Sequence, residues 1–426
     1  MSTRFVIQGQ KRLSGTYRPV GNKNAALPML AAALLTDEPV TLENVPRIAD
    51  VQVMLDLLAS LGVSVETAGS TVTLCAARIR RRKLDQDLCS RVRSSILLAG
   101  PLAARHGRAI LFPPGGDVIG RRRLDAHFQG LRALGIEIEG GHFFTFRRRQ
   151  LRGADLLLDE ASVTATENLM MAASLAEGPT TIFNAACEPH VQDLGQLLTR
   201  MGARMEGLGT NRLHIRGVEK LRGARHTIGP DYIEIGSFIA AAAVTRGSLV
   251  IETPPDPAWL GVVQRSLQRL GVVLGAASSS VELPASQKLR VQRDYGGAVP
   301  KIEDGPWPAF PSDLMSVALV LATQAKGTVL FFEKMFESRM FFVERLIEMG
   351  ARVIPCDPHR VLVAGPSRLH GTHLTSPDIR AGMSLLIAAL CARGRSVMDH
   401  AQIIDRGYER VDERLRALGA DIVREE

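Results

Sequence analysis

The chain has 426 residues, enough for two or three domains, and its 46% hydrophobic and 23% charged content is that of an ordinary globular protein. A net charge of +8 favours anionic partners. Only 5% of residues are aromatic and no nucleic-acid-binding module is recognisable, so a nucleic-acid partner is not expected.

Five scattered cysteines, without CxxC or Cys/His zinc spacing, signal neither a disulfide framework nor a structural metal. The start, MSTRFVIQGQKRL, lacks the apolar core of a signal peptide, and no apolar run approaches the roughly 18 residues of a membrane span. A cytoplasmic location without membrane association is expected.

In chain order, six Ala-rich apolar stretches predict buried helices: AALPMLAAALL, SSILLAGPLAA, ENLMMAASLA, GSFIAAAAV, MSVALVLATQA and MSLLIAALCA. Small Ala side chains permit close helix packing. Each stretch leads into an apolar or β-branched strand. A second helical pattern then ends at Leu61-Gly62, Leu134-Gly135, Met201-Gly202, Leu270-Gly271, Met349-Gly350 and Leu418-Gly419, where Gly is the expected helix stop. The beat of about 70 residues predicts six repeated units, three per domain, with punctuation near Gly229-Pro230.

A charged residue stands before or at the start of each Ala-rich stretch: Lys23, Arg93, Glu167, Glu234, Asp313 and Arg380. The acidic ones read equally as favourable helix N-terminal charges. The basic ones oppose the helix dipole at a cost of a few tenths to about 1 kcal/mol, and an anionic ligand would offset it. Between two packed elements runs PPGGDVIGRRRLDAH, Pro113 to His127. Its paired glycines release the backbone, Asp117 follows at once, and Arg121 to Arg123 precede Asp125. A carboxyl group beside guanidinium groups suits proton transfer and phosphate binding, although such a loop is also what a solvated turn looks like. Further loops carry Glu188-Pro189, Glu337-Ser338-Arg339 and Asp405-Arg406.

Neither a P-loop, nor a GxGxxG after a strand, nor a GxSxG elbow, nor HExxH spacing is present. Nucleotide hydrolysis, dinucleotide redox chemistry and metal catalysis are therefore unsupported, and no cofactor is expected. What remains is a set of cations and isolated carboxyl groups suited to a phosphorylated or carboxylated substrate.

GNKNAALP (Gly21 to Pro28), PGGDVIGRRRLDAH, SVTATENLM, PDYIEIGSF, FPSD, FESR and IDRGYERVDERLRALGA together resemble the UDP-N-acetylglucosamine 1-carboxyvinyltransferase family of enolpyruvyl transferases, in the same order and over essentially the whole chain. The resemblance implies an α/β fold: a two-domain inside-out α/β barrel of six βαβαββ-type units. One domain would be residues 1–21 plus 230–426, the other 22–229, with substrates in the cleft. It implies transfer of the enolpyruvyl group of phosphoenolpyruvate to the 3′-hydroxyl of UDP-N-acetylglucosamine with release of phosphate, by addition and elimination. Lys23 would neutralise the phosphate, and Asn24 would contact the sugar nucleotide. Arg122 and Arg406 would hold phosphate and carboxylate, with Arg93 and Arg380 completing a cationic ring. Asp313 would be the general base and Arg339 an anchor for carboxylate or diphosphate. Arg122, Arg123, Leu124, Asp125, Ser162 and Val163 match the positions for uridine and diphosphate.

Three positions depart from the family pattern. Asp117 stands where most members carry a cysteine that acts as general acid. An ordinary carboxyl group, with a pKa near 3.9, is protonated in only about one molecule in a thousand at pH 7, so its surroundings must raise it or the pH optimum must fall. A cysteine-reactive epoxide such as fosfomycin should not alkylate it. Glu160 replaces a lysine found in some members, and Arg123 replaces a proline. Two alternatives stand beside this reading: a silent UDP-sugar-binding paralogue, and 5-enolpyruvylshikimate-3-phosphate synthase, whose GNAGTAMRP-like segment has no match here.

Overall fold

The computed structural model describes residues 3–117, 119–253, 258–277 and 279–426. The chain forms two compact units. The first takes in residues 3–19, 119–121 and 230–426, and the second residues 20–117 and 122–229.

In the second unit, Val40–Glu43 pairs in parallel with Ala224–Thr227 and antiparallel with Thr71–Cys75, beyond which lies Ser64–Ala68. Pro179–Phe183 is flanked the same way, by Asp155–Leu157 in parallel and Arg212–Arg216 antiparallel, with Arg204–Glu206 outside. In the third sheet Arg108–Leu111 pairs with Phe144–Arg148 and that strand with Ile136–Glu139; the parallel neighbour is reduced to one bridge, Lys83 to Ile110.

The first unit carries the pattern three times. Ser248–Glu252, Gly327–Phe332 and Arg395–Asp399 each have one parallel partner: Ser14–Tyr17, Lys301–Glu303 and His373–Thr375. Their antiparallel partners are Ser280–Leu283, Arg360–Gly365 and Arg4–Gln8. Strands such as Arg4–Gln8 bury alternate residues, Phe5 and Ile7, because successive side chains point to opposite faces.

The Ala-rich stretches are helices whose whole circumference is buried. In the first unit Tyr232–Val244, Met315–Gln324 and Ile379–Cys391 pack against one another, and Ala on every side lets them approach closely. The six glycines of the Leu-Gly and Met-Gly pairs all have positive φ, between +88° and +109°, which a side chain would resist. Two stretches depart from a continuous α-helix: AALPMLAAALL ends in a 3-10 turn, Ala33–Leu35, and SSILLAGPLAA begins in one. Arg93–Leu98 is a 3-10 turn and the α-helix begins only at Ala99. Pro101 has no N–H to give to Leu97, and the Gly100 N–H is taken by the Asn168 side chain at 2.8 Å.

Candidate active site

In the second unit, the helix Lys23–Ala32 is capped by Asn22, whose Oδ1 accepts the Ala25 N–H at 3.1 Å. Pro28 sits inside this helix and cannot donate to the Asn24 carbonyl, which is thereby released from the helical ladder. Lys23 is the first helical residue and is buried, with its Nζ 2.7 Å from Asp50 Oδ2. Asp50 lies in the first turn of the helix Ala49–Leu61 and is also buried. The cation expected to call for an anionic ligand thus already has one protein carboxylate. The sequence reading missed Asp50, since a pair 27 positions apart leaves no local pattern.

The Gly-rich loop is pressed against the segment that carries Arg93. A Cβ on Gly115 would lie 1.6 Å from the Ser90 carbonyl oxygen, and Gly116 has a φ of +106° with Arg93 Cβ at 2.9 Å. Only glycine fits this approach. Asp117 follows on the loop, half-buried. The Arg93 guanidinium donates to the carbonyls of Arg122 and Arg123, which fixes the path of the loop into the helix Asp125–Ala133. Burial, with Arg122 close by, pulls Arg93 down to about 10. The exposed Arg123 side chain pairs with Asp125.

Two further residues of this unit are buried in ways that the sequence did not signal. His127 is buried, between Thr164 Oγ1 at 3.1 Å and Asn168 Nδ2 at 3.1 Å. Burial, and then the charge of Arg93, depress it to about 3, so it is neutral at physiological pH. Glu167 was read as a helix N-terminal charge, but the helix starts at Val163, with Ser162 at its N-cap. Glu167 therefore lies one turn further in. It is 1% exposed, and burial, with Glu188 near, raises it well above the usual carboxylate range. Ser162 and Val163 supply the N-terminal end of this helix, a place of partial positive charge. Leu124 holds the corresponding N-cap position of the helix Asp125–Ala133.

In the first unit, Asp313 lies in the 3-10 turn Ser312–Leu314. Its Oδ1 accepts from Arg339 Nη2 at 3.1 Å and its Oδ2 from Arg380 Nη2 at 2.9 Å. Both arginines are buried, Arg339 beside Phe336 and Arg380 over the Tyr408 ring at 5.3 Å. Arg380 is the second residue of the helix Ile379–Cys391, whose N-cap Asp378 accepts the Arg380 and Ala381 N–H groups. Burial works against the Arg380 charge, but Asp313, with Tyr408 and Asp231 behind it, outweighs burial and holds the guanidinium above its ordinary value. Arg380 Nη1 and Arg339 Nε are buried without a hydrogen-bond partner among the described residues. Such donors are costly unless an acceptor arrives. A carboxylate or phosphate oxygen is the matching acceptor for a guanidinium. Arg406, half-buried, ends the 3-10 turn Ala401–Arg406, and the neighbouring Asp405 is held by Arg424.

Lys23, Asn24, Arg93, Asp117, Arg122, Arg123, Leu124, Asp125, Ser162 and Val163 thus belong to the second unit, and Asp313, Arg339, Arg380 and Arg406 to the first. No group of three or more His, Cys, Asp or Glu side chains with metal-binding geometry occurs among the described residues. Nor is any of their helices long and apolar enough to cross a membrane.

The sequence profile of the family described as EPSP synthase (3-phosphoshikimate 1-carboxyvinyltransferase) matches residues 7–415. The chain belongs to this carboxyvinyltransferase family. Among its relatives, a protein of Bradyrhizobium diazoefficiens named UDP-N-acetylglucosamine 1-carboxyvinyltransferase is 54% identical over 99% of this chain and 97% of its own. Proteins of the same name from Treponema pallidum and Bacteroides thetaiotaomicron are 54% and 47% identical, each over 99% of both chains. Among solved carboxyvinyltransferase structures, the enolpyruvyl transferase NikO from Streptomyces tendae superposes with a TM-score of 0.88 at 26% identity, covering 99% of each chain. EPSP synthase from Acinetobacter baumannii reaches 0.77 at 17% identity over the whole of both chains, a likeness of fold.

Proposed function

We propose that this carboxyvinyltransferase moves the enolpyruvyl group of phosphoenolpyruvate onto the 3′-hydroxyl of UDP-N-acetylglucosamine, releasing phosphate, the first committed step of peptidoglycan synthesis. The observation that carries this reading is identity near 50%, over almost the full length of both chains, to proteins named for that activity. The same reading takes the six sheets as six copies of one βαβαββ-type unit in an inside-out barrel, and places the protein in the cytoplasm.

The reaction proceeds by addition and then elimination. Asp313 takes the proton of the 3′-hydroxyl as its oxygen bonds to C2 of phosphoenolpyruvate, and Asp117 gives a proton to the C3 methylene. The methyl group so formed then loses a proton while the C2–O bond to phosphate breaks, which restores the double bond. Arg339 and Arg380 hold Asp313 and offer their remaining N–H groups to the substrate carboxylate. Lys23, Arg93, Arg122 and Arg406 balance the phosphate charge, and Asn24, Arg123, Leu124, Asp125, Ser162 and Val163 bind the nucleotide sugar. Asp117 takes the place of the cysteine that most members use as acid. Either side chain can deliver a proton, but a thiolate is by far the stronger nucleophile toward an epoxide.

The test is phosphate release from the purified protein between pH 5 and 9, with and without fosfomycin. Turnover that needs both substrates and resists the epoxide, with sensitivity appearing in Asp117→Cys, is the expected result. Binding of UDP-N-acetylglucosamine without turnover at any pH would replace the enzyme with a silent paralogue.

A further inference from the structure

Behind Asp313 lies a second carboxyl pair that the reaction above does not use. Asp304 and Glu333 are both fully buried, at 0% exposure, and their side chains interact with each other. Asp304 Oδ1 accepts the Lys334 N–H at 2.6 Å, but Asp304 Oδ2 has no hydrogen-bond donor among the described residues. Two buried carboxylates facing each other would repel, and one orphaned oxygen would remain. A single proton between them removes both problems.

Glu333 ties together the elements that carry the Asp313 cluster. Its Oε1 accepts from Ser312 Oγ at 3.0 Å, the residue before Asp313. The same oxygen accepts the N–H groups of Met335 at 3.2 Å and Phe336 at 3.1 Å, in the turn that leads to Arg339. Its Oε2 lies 3.8 Å from Arg339 Nε, while Arg339 Nη2 bonds to Asp313. One guanidinium therefore stands between two carboxyl groups, and the charge on Glu333 decides how it is shared.

The other charged groups nearby are already engaged. His359 faces the Glu333 carbonyl with Nδ1 at 2.8 Å, Lys334 pairs with Glu303, and Arg380 with Asp313. Burial first, then the bond and charge of Asp304, push Glu333 up to about 9.

We propose that Asp304 and Glu333 form a positioning pair in which Glu333 donates a proton to Asp304 Oδ2 and, being neutral, leaves the charge of Arg339 to Asp313. Neither residue touches substrate. Ionisation of Glu333 would draw Arg339 Nε toward it and loosen the hold on the base. The inference rests on the proposed reaction only for its kinetic consequence; the proton itself is a property of the unliganded protein.

Two experiments test it, one of them without activity. Between the unfolded value near 4.5 and the folded value of about 9, the native state holds a proton that the unfolded chain has lost, so this pair's contribution to stability falls as pH rises. Glu333→Gln fixes the neutral state. Thermal unfolding of the unliganded wild type and E333Q between pH 5 and 9 should show the variant gaining steadily on the wild type. A constant offset would overturn the shared proton, even if wild-type turnover were never found. In the kinetic arm each kcat profile is scaled to its own maximum. The wild-type alkaline limb near pH 9 should vanish in E333Q. It should move down by at least one pH unit in Asp304→Asn, whose amide can donate to an ionised Glu333. The double variant should recover the E333Q profile. Superimposable limbs in wild type and E333Q would sink the positioning role while leaving the reaction standing, and E333Q alone decides if D304N does not fold.

Discussion

The loop of Asp117 and the cluster of Asp313 hold the proposed acid and base in opposite ways. Asp313 is gripped by two buried guanidinium groups, one on a helix N-terminal turn and one on a loop tied to its own 3-10 turn. Asp117 is half-buried on a loop whose course is set by its neighbours: glycines pressed on Ser90 and Arg93, and an arginine that holds the carbonyls beyond it. The contrast follows from the tasks. A base must stay charged and aimed, which buried cations secure, whereas an acid must first hold a proton and then carry it to carbon.

The sharpest way to break the comparison is to remove each carboxyl group in turn. Asp313→Ala and Asp117→Ala should each lower kcat by about 10²–10⁴-fold, the range of a lost acid or base. Asp313→Ala should also be destabilised, by about 3 kcal/mol, because it strands two buried guanidinium groups. A wild-type melting temperature in Asp313→Ala would erase the distinction. A smaller effect is expected from Asp50→Asn, which removes the carboxylate that fixes Lys23 at 2.7 Å. Turnover should fall roughly 10-fold or more through misplacement of the cation proposed to bind phosphate, about 1.4 kcal/mol or more. A variant with wild-type kcat/KM would show that Lys23 needs no such support. Arg380→Lys keeps the charge but loses the fork, and steady-state kinetics should show a KM for phosphoenolpyruvate raised about tenfold, with a lesser change in kcat.

The smallest effect concerns His127 and appears only in acid. Its folded pKa of about 3 lies below the unfolded value near 6.5, so the unfolded chain binds the extra proton and stability falls as pH drops through that window. His127→Gln should therefore lose less melting temperature than wild type between pH 6.5 and 4. Parallel curves would mean that the buried ring is not what acid attacks.

Much of this was legible in the sequence, for identifiable reasons. Gly62, Gly135, Gly202, Gly271, Gly350 and Gly419 adopt the positive φ expected of helix stops, because that requirement is local to one residue. Asp313 and Arg380 could be placed at helical starts from the apolar runs that follow them. Asp50, His127, Asp304 and Glu333 could not be singled out, and Glu167 was visible only as a helix-end charge, because burial and pairing across strands and helices leave no periodic mark. In composition a buried carboxyl group looks like a surface one. The break at Pro101 was visible as a residue but not as an event, since the Ala-rich pattern continues through it.

The sheet that holds Arg4–Gln8 has a consequence for synthesis. That strand lies between Arg395–Asp399 and Asp421–Glu425, so it waits for two strands made about 390 residues or more after it. At about 5–20 residues per second it remains without either neighbour for roughly 20–80 s. Residues 20–229, by contrast, contain every strand their three sheets need. The unit that bears Asp117 can settle while the polypeptide is still being made, and the unit that bears Asp313 is finished only after Asp421–Glu425 emerges. A ribosome stalled near residue 300 should therefore display a protease-resistant core of the second unit alone.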